Sequence, residues 1–313
     1  MLDPELRDAA LGQPYVAFTD PLAARRNFRR ATRLSRALRA AYPATGIEID
    51  DVWVPILDGP KLSVRRYAPA VVAQPLPALV YLHGGAFVAG DLDTEHDRCV
   101  RYAAEVGCAV FSVQYRQPPE HPFPTPLHDC YVAVEWIASG ADGVGVDPGR
   151  IAVGGSSAGA TLATGVALLA RDRGGPALAL QLLLYPALDN RLDSRSMGLF
   201  PEVTSWTVAD SALMWQHYLG PGGASDATHA VPARSTDFRG VAPAYVLIAD
   251  VDALRDEALD YAGRMIEDEV PVDLHLVAGT FHGFDVAVPG ATVSVRSLDD
   301  QVRALRAALG TGA

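Results

Sequence analysis

The chain has 313 residues, of which 49% are hydrophobic and 20% are charged, which is typical of a globular protein and excludes a mostly disordered one. The formal net charge of −11 disfavours a nucleic-acid partner, because phosphate binding needs a basic surface. The length exceeds what one hydrophobic core usually supports, but an α/β architecture can hold it as one domain with added segments.

Residues 1–46 are predicted to be helical. Arginines recur at helical spacing between residues 25 and 39, with Phe28 among them. We interpret this pattern as a solvated helix face, with a helix that contacts a membrane surface or a partner as the alternative. The N-terminus has no apolar signal region, and the longest apolar stretch, 177–188, is too short and too interrupted to span a bilayer. We therefore expect a cytoplasmic protein without stable membrane insertion.

From residue 52 onward, short apolar runs typical of strands alternate with helical patterns. The pair 52–56 and 62–67 predicts an antiparallel hairpin at the start. Further strands are predicted at 78–82, 108–113, 150–154, 180–185, 244–248 and 272–277, and helices at 97–106, 127–138, 161–171 and 293–309. This alternation predicts an α/β fold in which a mostly parallel sheet is flanked by helices on both faces.

The stretch 190–232 interrupts the alternation and is predicted to be an inserted helical segment. Together with residues 1–46 it could cover the carboxyl edge of the sheet, where open α/β sheets bind ligands. We therefore expect a catalytic domain formed by 47–189 and 233–313, with 1–46 and 190–232 as two cap segments. The inserted segment carries four large side chains that are candidate walls of a substrate pocket, with the core of the cap itself as the alternative: Trp206, Met214, Trp215 and Tyr218.

The strongest motif is Gly155-Ser156-Ser157-Ala158-Gly159, which fits Gly-x-Ser-x-Gly. It lies between the predicted strand 150–154 and the predicted helix 161–171. A sharp strand-to-helix turn requires small neighbours on both sides of a nucleophile. Only Ser157 has glycine two residues before and two residues after it, so Ser157, and not Ser156, is the candidate nucleophile.

A second glycine-containing motif, His83-Gly84-Gly85-Ala86, directly follows the predicted strand 78–82. Consecutive glycines let the backbone N–H groups of Gly84 and Gly85 turn toward a substrate oxygen, and the N–H of Ala158 completes a candidate oxyanion hole. A flexible strand-exit loop is the alternative. We expect His83 to anchor this loop by hydrogen bonding and not to act as a base.

A general base must come from the eight histidines. His282 lies just beyond the last predicted strand, in a loop at the carboxyl edge of the sheet, whereas His275 lies in the middle of that strand. His282 is therefore the candidate base.

The acid that orients the base should lie between serine and histidine in the sequence of this fold. Asp250 and Asp252 both follow the predicted strand 244–248, and spacing alone does not choose between them. Asp256 falls in the next helix, where we expect a capping or salt-bridging role.

Together these motifs resemble the hormone-sensitive lipase-like family of bacterial esterases, an α/β-hydrolase group with a helical cap. The resemblance extends over about residues 50–310. The family's His-Gly-Gly-Gly corresponds to 83–86, its Gly-Asp-Ser-Ala-Gly to 155–159, its Asp-Pro-Leu-Arg-Asp to 252–256, and its His-Gly-Phe to 282–284.

The resemblance selects Asp252 as the acid. The chain departs from the family pattern at three positions. Ala86 stands in place of the third glycine, Ser156 in place of the aspartate before the nucleophile, and Ala253 in place of proline. None of these changes removes a member of the Ser157–His282–Asp252 set.

The resemblance implies a carboxylesterase-type serine hydrolase whose substrate is a small ester, with a preference for short acyl chains. Hydrolysis of an amide, lactone or thioester by the same residues is the alternative, and a non-catalytic ligand-binding protein is a more distant one. The sequence contains no phosphate loop, metal-ligand cluster or dinucleotide fingerprint, so no cofactor and no metal are implied. A homodimer through an edge strand stays open. The three cysteines are expected to be free thiols.

Overall fold

The computed structural model describes residues 2–12, 17–38, 42–57, 59–71, 75–140, 145–200, 202–203, 206–223 and 228–311. Short parts of the predicted segments 1–46 and 190–232 therefore lie outside the described residues.

The strands, in chain order, are β1 (Ile47–Val54), β2 (Leu62–Pro69), β3 (Leu76–Leu82), β4 (Ala109–Val113), β5 (Val146–Ser156), β6 (Leu180–Leu184), β7 (Glu202–Val203), β8 (Trp206–Thr207), β9 (Ala244–Val251) and β10 (Val272–Phe281). Among the described residues, eight strands form one sheet in the order β1-β2-β4-β3-β5-β6-β9-β10. β7 and β8 form a separate two-stranded ribbon. β2 is antiparallel to both β1 and β4, and the remaining neighbours are parallel. The predicted hairpin and the predicted mostly parallel sheet are both confirmed.

The helices, in chain order, are α1 (Arg7–Gly12), α2 (Pro21–Leu38), α3 (His96–Val106), α4 (Thr125–Ala138), α5 (Ala158–Arg173), α6 (Arg195–Leu199), α7 (Val208–Leu219), α8 (Arg255–Glu267), α9 (Phe284–Ala287) and α10 (Thr292–Leu309). Within the described residues, no helix combines the length and the apolar character that crossing a bilayer requires.

The core lies in two layers, one on each face of the sheet. Successive side chains of β3 alternate between them, with Val80 in one layer and Tyr81 in the other, because side chains of a strand point to opposite faces. One layer includes residues of α4, α5 and α8, and the other includes residues of α3 and α10. All seven residues of β3 are buried, as expected of a strand covered on both faces.

The order of the strands determines which loops meet. β3 and β5 are parallel neighbours, with Leu82 opposite Gly155, so the loop after β3 and the turn after β5 emerge side by side. β9 and β10 are also parallel neighbours, with Phe281 opposite Val251. The segments that follow these strands therefore meet at the same carboxyl edge of the sheet.

Two segments from distant parts of the chain lie over this edge. Phe18, just before α2, accepts a hydrogen bond from His217 of α7 through its backbone oxygen, at 3.0 Å. The Phe18 ring also contacts the Trp206 ring edge to face, with 5.5 Å between the centroids. α1 packs elsewhere, because Ala10 belongs to the core layer that contains α3 and α10.

Candidate active site

A continuous chain of hydrogen bonds joins three side chains at the carboxyl edge of the sheet. The hydroxyl of Ser157 lies 2.9 Å from Nε2 of His282, and Nδ1 of the same ring lies 2.7 Å from Oδ2 of Asp252. A carboxylate only accepts hydrogen bonds, so Asp252 fixes the proton on Nδ1 and leaves Nε2 free to accept from the serine. The structure thus brings together the three residues selected from the sequence.

Ser157 lies on a strained turn between β5 and α5, with φ of 52° and ψ of −121°. Only glycine fits at positions 155 and 159, because a Cβ at either position would collide with the backbone oxygen of Leu82. The N–H of Ser157 donates to the backbone oxygen of Leu184 on β6 at 2.9 Å, which ties the turn to the neighbouring strand. Such strain persists only where the surrounding structure enforces it, and it projects the hydroxyl away from the sheet.

The imidazole of His282 is held between two aromatic rings. The Trp206 ring is stacked on it, with centroids 5.7 Å apart and an interplanar angle of 28°, and the Tyr185 ring meets it edge to face at 5.0 Å. The partner Asp252 is 2% exposed, and its second oxygen accepts the N–H of Leu254 at 3.0 Å. The histidine and its acid are therefore fixed on several sides.

The predicted oxyanion donors are only partly in agreement with the structure. The N–H of Gly84 already donates to Oε1 of Glu95 at 3.1 Å, so this N–H is engaged, contrary to the expectation from the sequence. The N–H groups of Gly85, Ala86 and Ala158 have no acceptor among the described residues. Ala158 is the first residue of α5, where backbone N–H groups lack intrahelical partners.

Ala86 adopts φ of 53°, a left-handed conformation that a side chain disfavours, where the resembling family has glycine. His83 anchors the start of the same loop. Nδ1 of His83 lies 2.9 Å from the backbone oxygen of Gly84, and the ring stacks on Tyr115 with centroids 4.4 Å apart. Burial lowers the pKa of His83, so its ring is neutral, as suits an anchor.

A cavity of about 600 Å³ opens above the serine. Its lining includes side chains from both overlying segments together with residues of the hydrogen-bonded chain: Phe18, Phe28, Trp206, Tyr185, Ser157 and His282.

The other three predicted pocket walls lie elsewhere. Met214, Trp215 and Tyr218 are buried and absent from the cavity lining. Tyr218 instead stacks on Phe87, with centroids 3.8 Å apart, and Trp215 packs beside the same pair. These side chains form the core beneath α7, which was the alternative interpretation of the sequence.

Comparison with known proteins decides the family. A family model described as the α/β-hydrolase fold matches residues 79–286. The chain belongs to this family. Over 98% of its length this α/β-hydrolase is 35% identical to the carboxylic ester hydrolase LipN of Mycobacterium tuberculosis, covering 83% of that protein. It is 38% identical to the carboxylesterase NlhH of the same species, over 79% of each chain.

Solved structures agree with this assignment. The α/β-hydrolase superimposes on a bacterial heroin esterase with a TM-score of 0.93 and 38% identity, covering 98% of each chain. The predicted fold and the predicted resemblance to bacterial esterases are thereby confirmed.

Phe18 and Tyr185 are among the cavity residues of this α/β-hydrolase that were not identified from the sequence. Phe18 precedes α2 and has no periodic pattern around it, so no local signal predicts its place. Tyr185 follows β6, at the carboxyl edge, and this position could have indicated it.

Proposed function

We propose that the protein hydrolyses carboxylic esters through an acyl-enzyme formed on Ser157. The observation that carries this proposal is the unbroken hydrogen-bonded chain from Asp252 through His282 to Ser157, at the floor of a cavity. The names of the similar proteins, which are carboxylic ester hydrolases and esterases, support the choice of an ester over other acyl substrates.

In the first half of the reaction, the oxygen of Ser157 attacks the acyl carbon while Nε2 of His282 takes the hydroxyl proton. Asp252 keeps the ring in the required tautomer and stabilises the imidazolium that forms. The tetrahedral intermediate then expels the alcohol, which receives the proton from Nε2. In the second half, water attacks the acyl-enzyme, gives its proton to Nε2, and the acid leaves as the serine recovers the proton.

The negative charge of the tetrahedral intermediate requires donors. Gly85, Ala86 and Ala158 are proposed to supply them, because their N–H groups are not engaged by the protein. Ala158 has the further advantage of the positive end of the α5 dipole. Ala86 thus takes the role that the sequence suggested for Gly84.

We assign α2 and α7 with their flanking residues as the cap that shapes the substrate cavity. The apolar walls Phe18, Phe28 and Trp206 favour an uncharged acyl group. Since the Trp206 ring is stacked on His282, it restricts the space close to the reacting carbon. This restriction supports a preference for short acyl chains.

The proposal is tested by rates on p-nitrophenyl esters of increasing acyl length, with Ser157→Ala as the blank. We expect Ser157→Ala to lower kcat by about 10⁴- to 10⁶-fold with an unchanged circular dichroism spectrum. Ser139→Ala is the matched control, because Ser139 is an exposed serine whose hydroxyl only caps α4. Turnover by Ser157→Ala close to that of the parent would contradict the assignment of Ser157 as the nucleophile.

Two further measurements separate the alternatives. An ester, an amide, a lactone and a thioester of matched acyl groups compare the leaving groups directly. Stoichiometric labelling of Ser157 by an organophosphate distinguishes a working nucleophile from a binding protein that only retains the fold.

A further inference from the structure

A buried carboxylate lies between the donor loop and the nucleophile turn. Glu95 is the residue just before α3, and its side chain is 3% exposed. Its Oε1 accepts the N–H of Gly84 at 3.1 Å and also accepts the hydroxyl of Ser156. Its Oε2 accepts the hydroxyl of Tyr81 on β3. One carboxylate therefore bonds to the loop that follows β3 and to the residue next to the candidate nucleophile.

The same carboxylate is linked to the histidine loop. Nη1 of Arg98 lies 3.4 Å from Oε2 of Glu95, and Nη2 of Arg98 lies 3.0 Å from Oδ2 of Asp285. Asp285 lies three residues after His282. The hydroxyl of Tyr185 donates to Asp285 at 2.9 Å. Burial alone would lower the pKa of Arg98, but the neighbouring Asp285 and Glu95 hold it well above its ordinary value. Arg98 is thus a permanent positive charge between two buried acids.

We propose that Glu95 is a positioning residue that holds the oxyanion donors of the 84–86 loop in register with Ser157. This inference rests on the proposed function. By binding the N–H of Gly84, the carboxylate fixes the peptide that precedes the free N–H groups of Gly85 and Ala86. By binding Ser156 at the same oxygen, it sets the distance between that loop and the nucleophile turn.

The arrangement also gives a reason for Ser156. The resembling family carries an aspartate at this position, whereas this chain has a hydroxyl that donates to Glu95. A Cβ placed on Gly84 would lie 2.9 Å from Oγ of Ser156, so the side chain at position 156 lies directly against the donor loop. Two carboxylates there would repel each other, because like charges in a buried site are strongly disfavoured. In this chain the carboxylate comes from the start of α3, where the helix dipole favours a negative charge.

Glu95→Gln is the first test, because it keeps the shape and removes the charge. Steady-state rates on p-nitrophenyl butyrate are compared with inhibition by an alkyl trifluoromethyl ketone, which forms a tetrahedral adduct with a reactive serine. We expect kcat to fall about 10- to 100-fold, and KM to change less than about threefold. This fall in kcat is at most comparable to the effect of removing one whole oxyanion donor. The inhibition constant of the ketone should rise by the same factor by which kcat/KM falls.

The control is Glu105→Gln on the same helix, where the carboxylate pairs with Arg101 near the surface. It should leave both kcat and the inhibition constant within about twofold of the parent, as expected of a partly exposed ion pair. Circular dichroism and thermal unfolding verify that each variant is folded. If Glu95→Gln does not fold, Glu95→Asp replaces it, because the shorter side chain keeps the charge but loses reach toward Gly84.

Rescue separates positioning from a purely structural role. Adding Ser156→Asp to Glu95→Gln returns a carboxylate to the same gap from the opposite side. In this double variant, kcat should recover to within about threefold of the parent. Ser156→Asp alone, with Glu95 in place, should lower kcat because it creates the pair of acids. Failure of the double variant to recover would contradict the exchange of roles between positions 95 and 156.

The outcomes separate this inference from the proposed function. Activity retained by Ser157→Ala would remove both proposals. If Ser157→Ala is inactive while folded Glu95→Gln keeps parental kcat, only the role of Glu95 is overturned. A loss of kcat without a matching rise in the inhibition constant of the ketone also overturns it, since the defect would then lie outside transition-state binding.

Discussion

The carboxylate of Asp252 lies 2.7 Å from Nδ1 of His282, whereas that of Asp250, two residues earlier, accepts the N–H of Gly279 at 3.2 Å. The two acids left open by spacing thus have different partners. Asp252→Asn should lower kcat by about 10³- to 10⁴-fold, because an amide no longer enforces the required tautomer. Asp250→Asn should remain within about threefold of the parent, since an amide oxygen can still accept from Gly279. Steady-state kinetics of both variants give the ranking, and the reverse order would reassign the acid.

Ala86 tests whether the left-handed conformation of the donor loop is costly. Ala86→Gly removes a backbone strain of about 1 kcal/mol from the folded state. It also makes the unfolded chain more flexible, which raises the entropic cost of folding by a similar free energy. We expect this cancellation to keep the change in the free energy of unfolding below about 0.5 kcal/mol. We expect kcat to stay within about twofold of the parent, because glycine adopts the same φ and keeps the donor N–H. Ala86→Val should lower kcat, because a β-branched residue resists φ of 53° at this buried position. Urea unfolding and kinetics check both, and a fully active valine variant would argue against Ala86 as a donor.

Trp206 and Trp215 allow a matched comparison between a cavity wall and a core residue. Trp206→Phe should raise the ratio of octanoate to acetate turnover by about threefold to tenfold, since it frees volume beside the reacting carbon. Trp215→Phe should leave that ratio unchanged, because Trp215 is absent from the cavity lining. Rates on p-nitrophenyl acetate and octanoate measure both effects. Equal shifts in the two variants would place the acyl site elsewhere.

Glu257 gives a pH-dependent prediction for stability. Burial raises the pKa of this carboxyl well above its ordinary value of 4.5, despite the N–H donors of Leu188 and Asp189. A raised pKa in the folded state means that the stability contribution is complete below pH 4.5 and is lost as the pH rises. The Tm of Glu257→Gln minus that of the parent should therefore increase between pH 5 and pH 8. A difference that stays constant with pH would contradict the protonated buried carboxyl.

Thiol labelling tests the burial of the three cysteines. Cys99, Cys108 and Cys130 are unpaired and buried, and burial raises the pKa of each thiol, that of Cys108 to about 12. A disulfide reagent such as DTNB should not react with the native protein within minutes, because the thiolate is the reacting form. The denatured protein should release three equivalents per chain. Rapid reaction of one thiol in the native state would indicate local opening of the core.

The sequence predicted the sheet and its main helices because strand and helix periodicities are local properties. It located Ser157 and His282 for the same reason, as each follows a recognisable strand. The choice of Asp252 needed the family resemblance, and the geometry now supports it independently.

The errors concern contacts that depend on the path of a loop in three dimensions. The sequence does not show that Glu95, eleven residues after Gly84, folds back and engages its N–H. Nor does it show which face of α7 turns inward, so the sequence leaves both a pocket wall and the core of the cap open for Met214, Trp215 and Tyr218, and the structure places them in the core. The compartment and the possible homodimer stay predictions, because neither is a property of a single folded chain.

The cavity wall at Phe18 and Trp206 comes from segments outside the strands that carry the reacting groups. Segments outside the core strands tolerate substitution more readily than the strands themselves. Divergence among descendants of this chain can therefore alter which ester enters while the nucleophile and its partners stay unchanged. Because Trp206 also holds the imidazole of His282, the segment that carries Phe18 is the better target for directed evolution of substrate range.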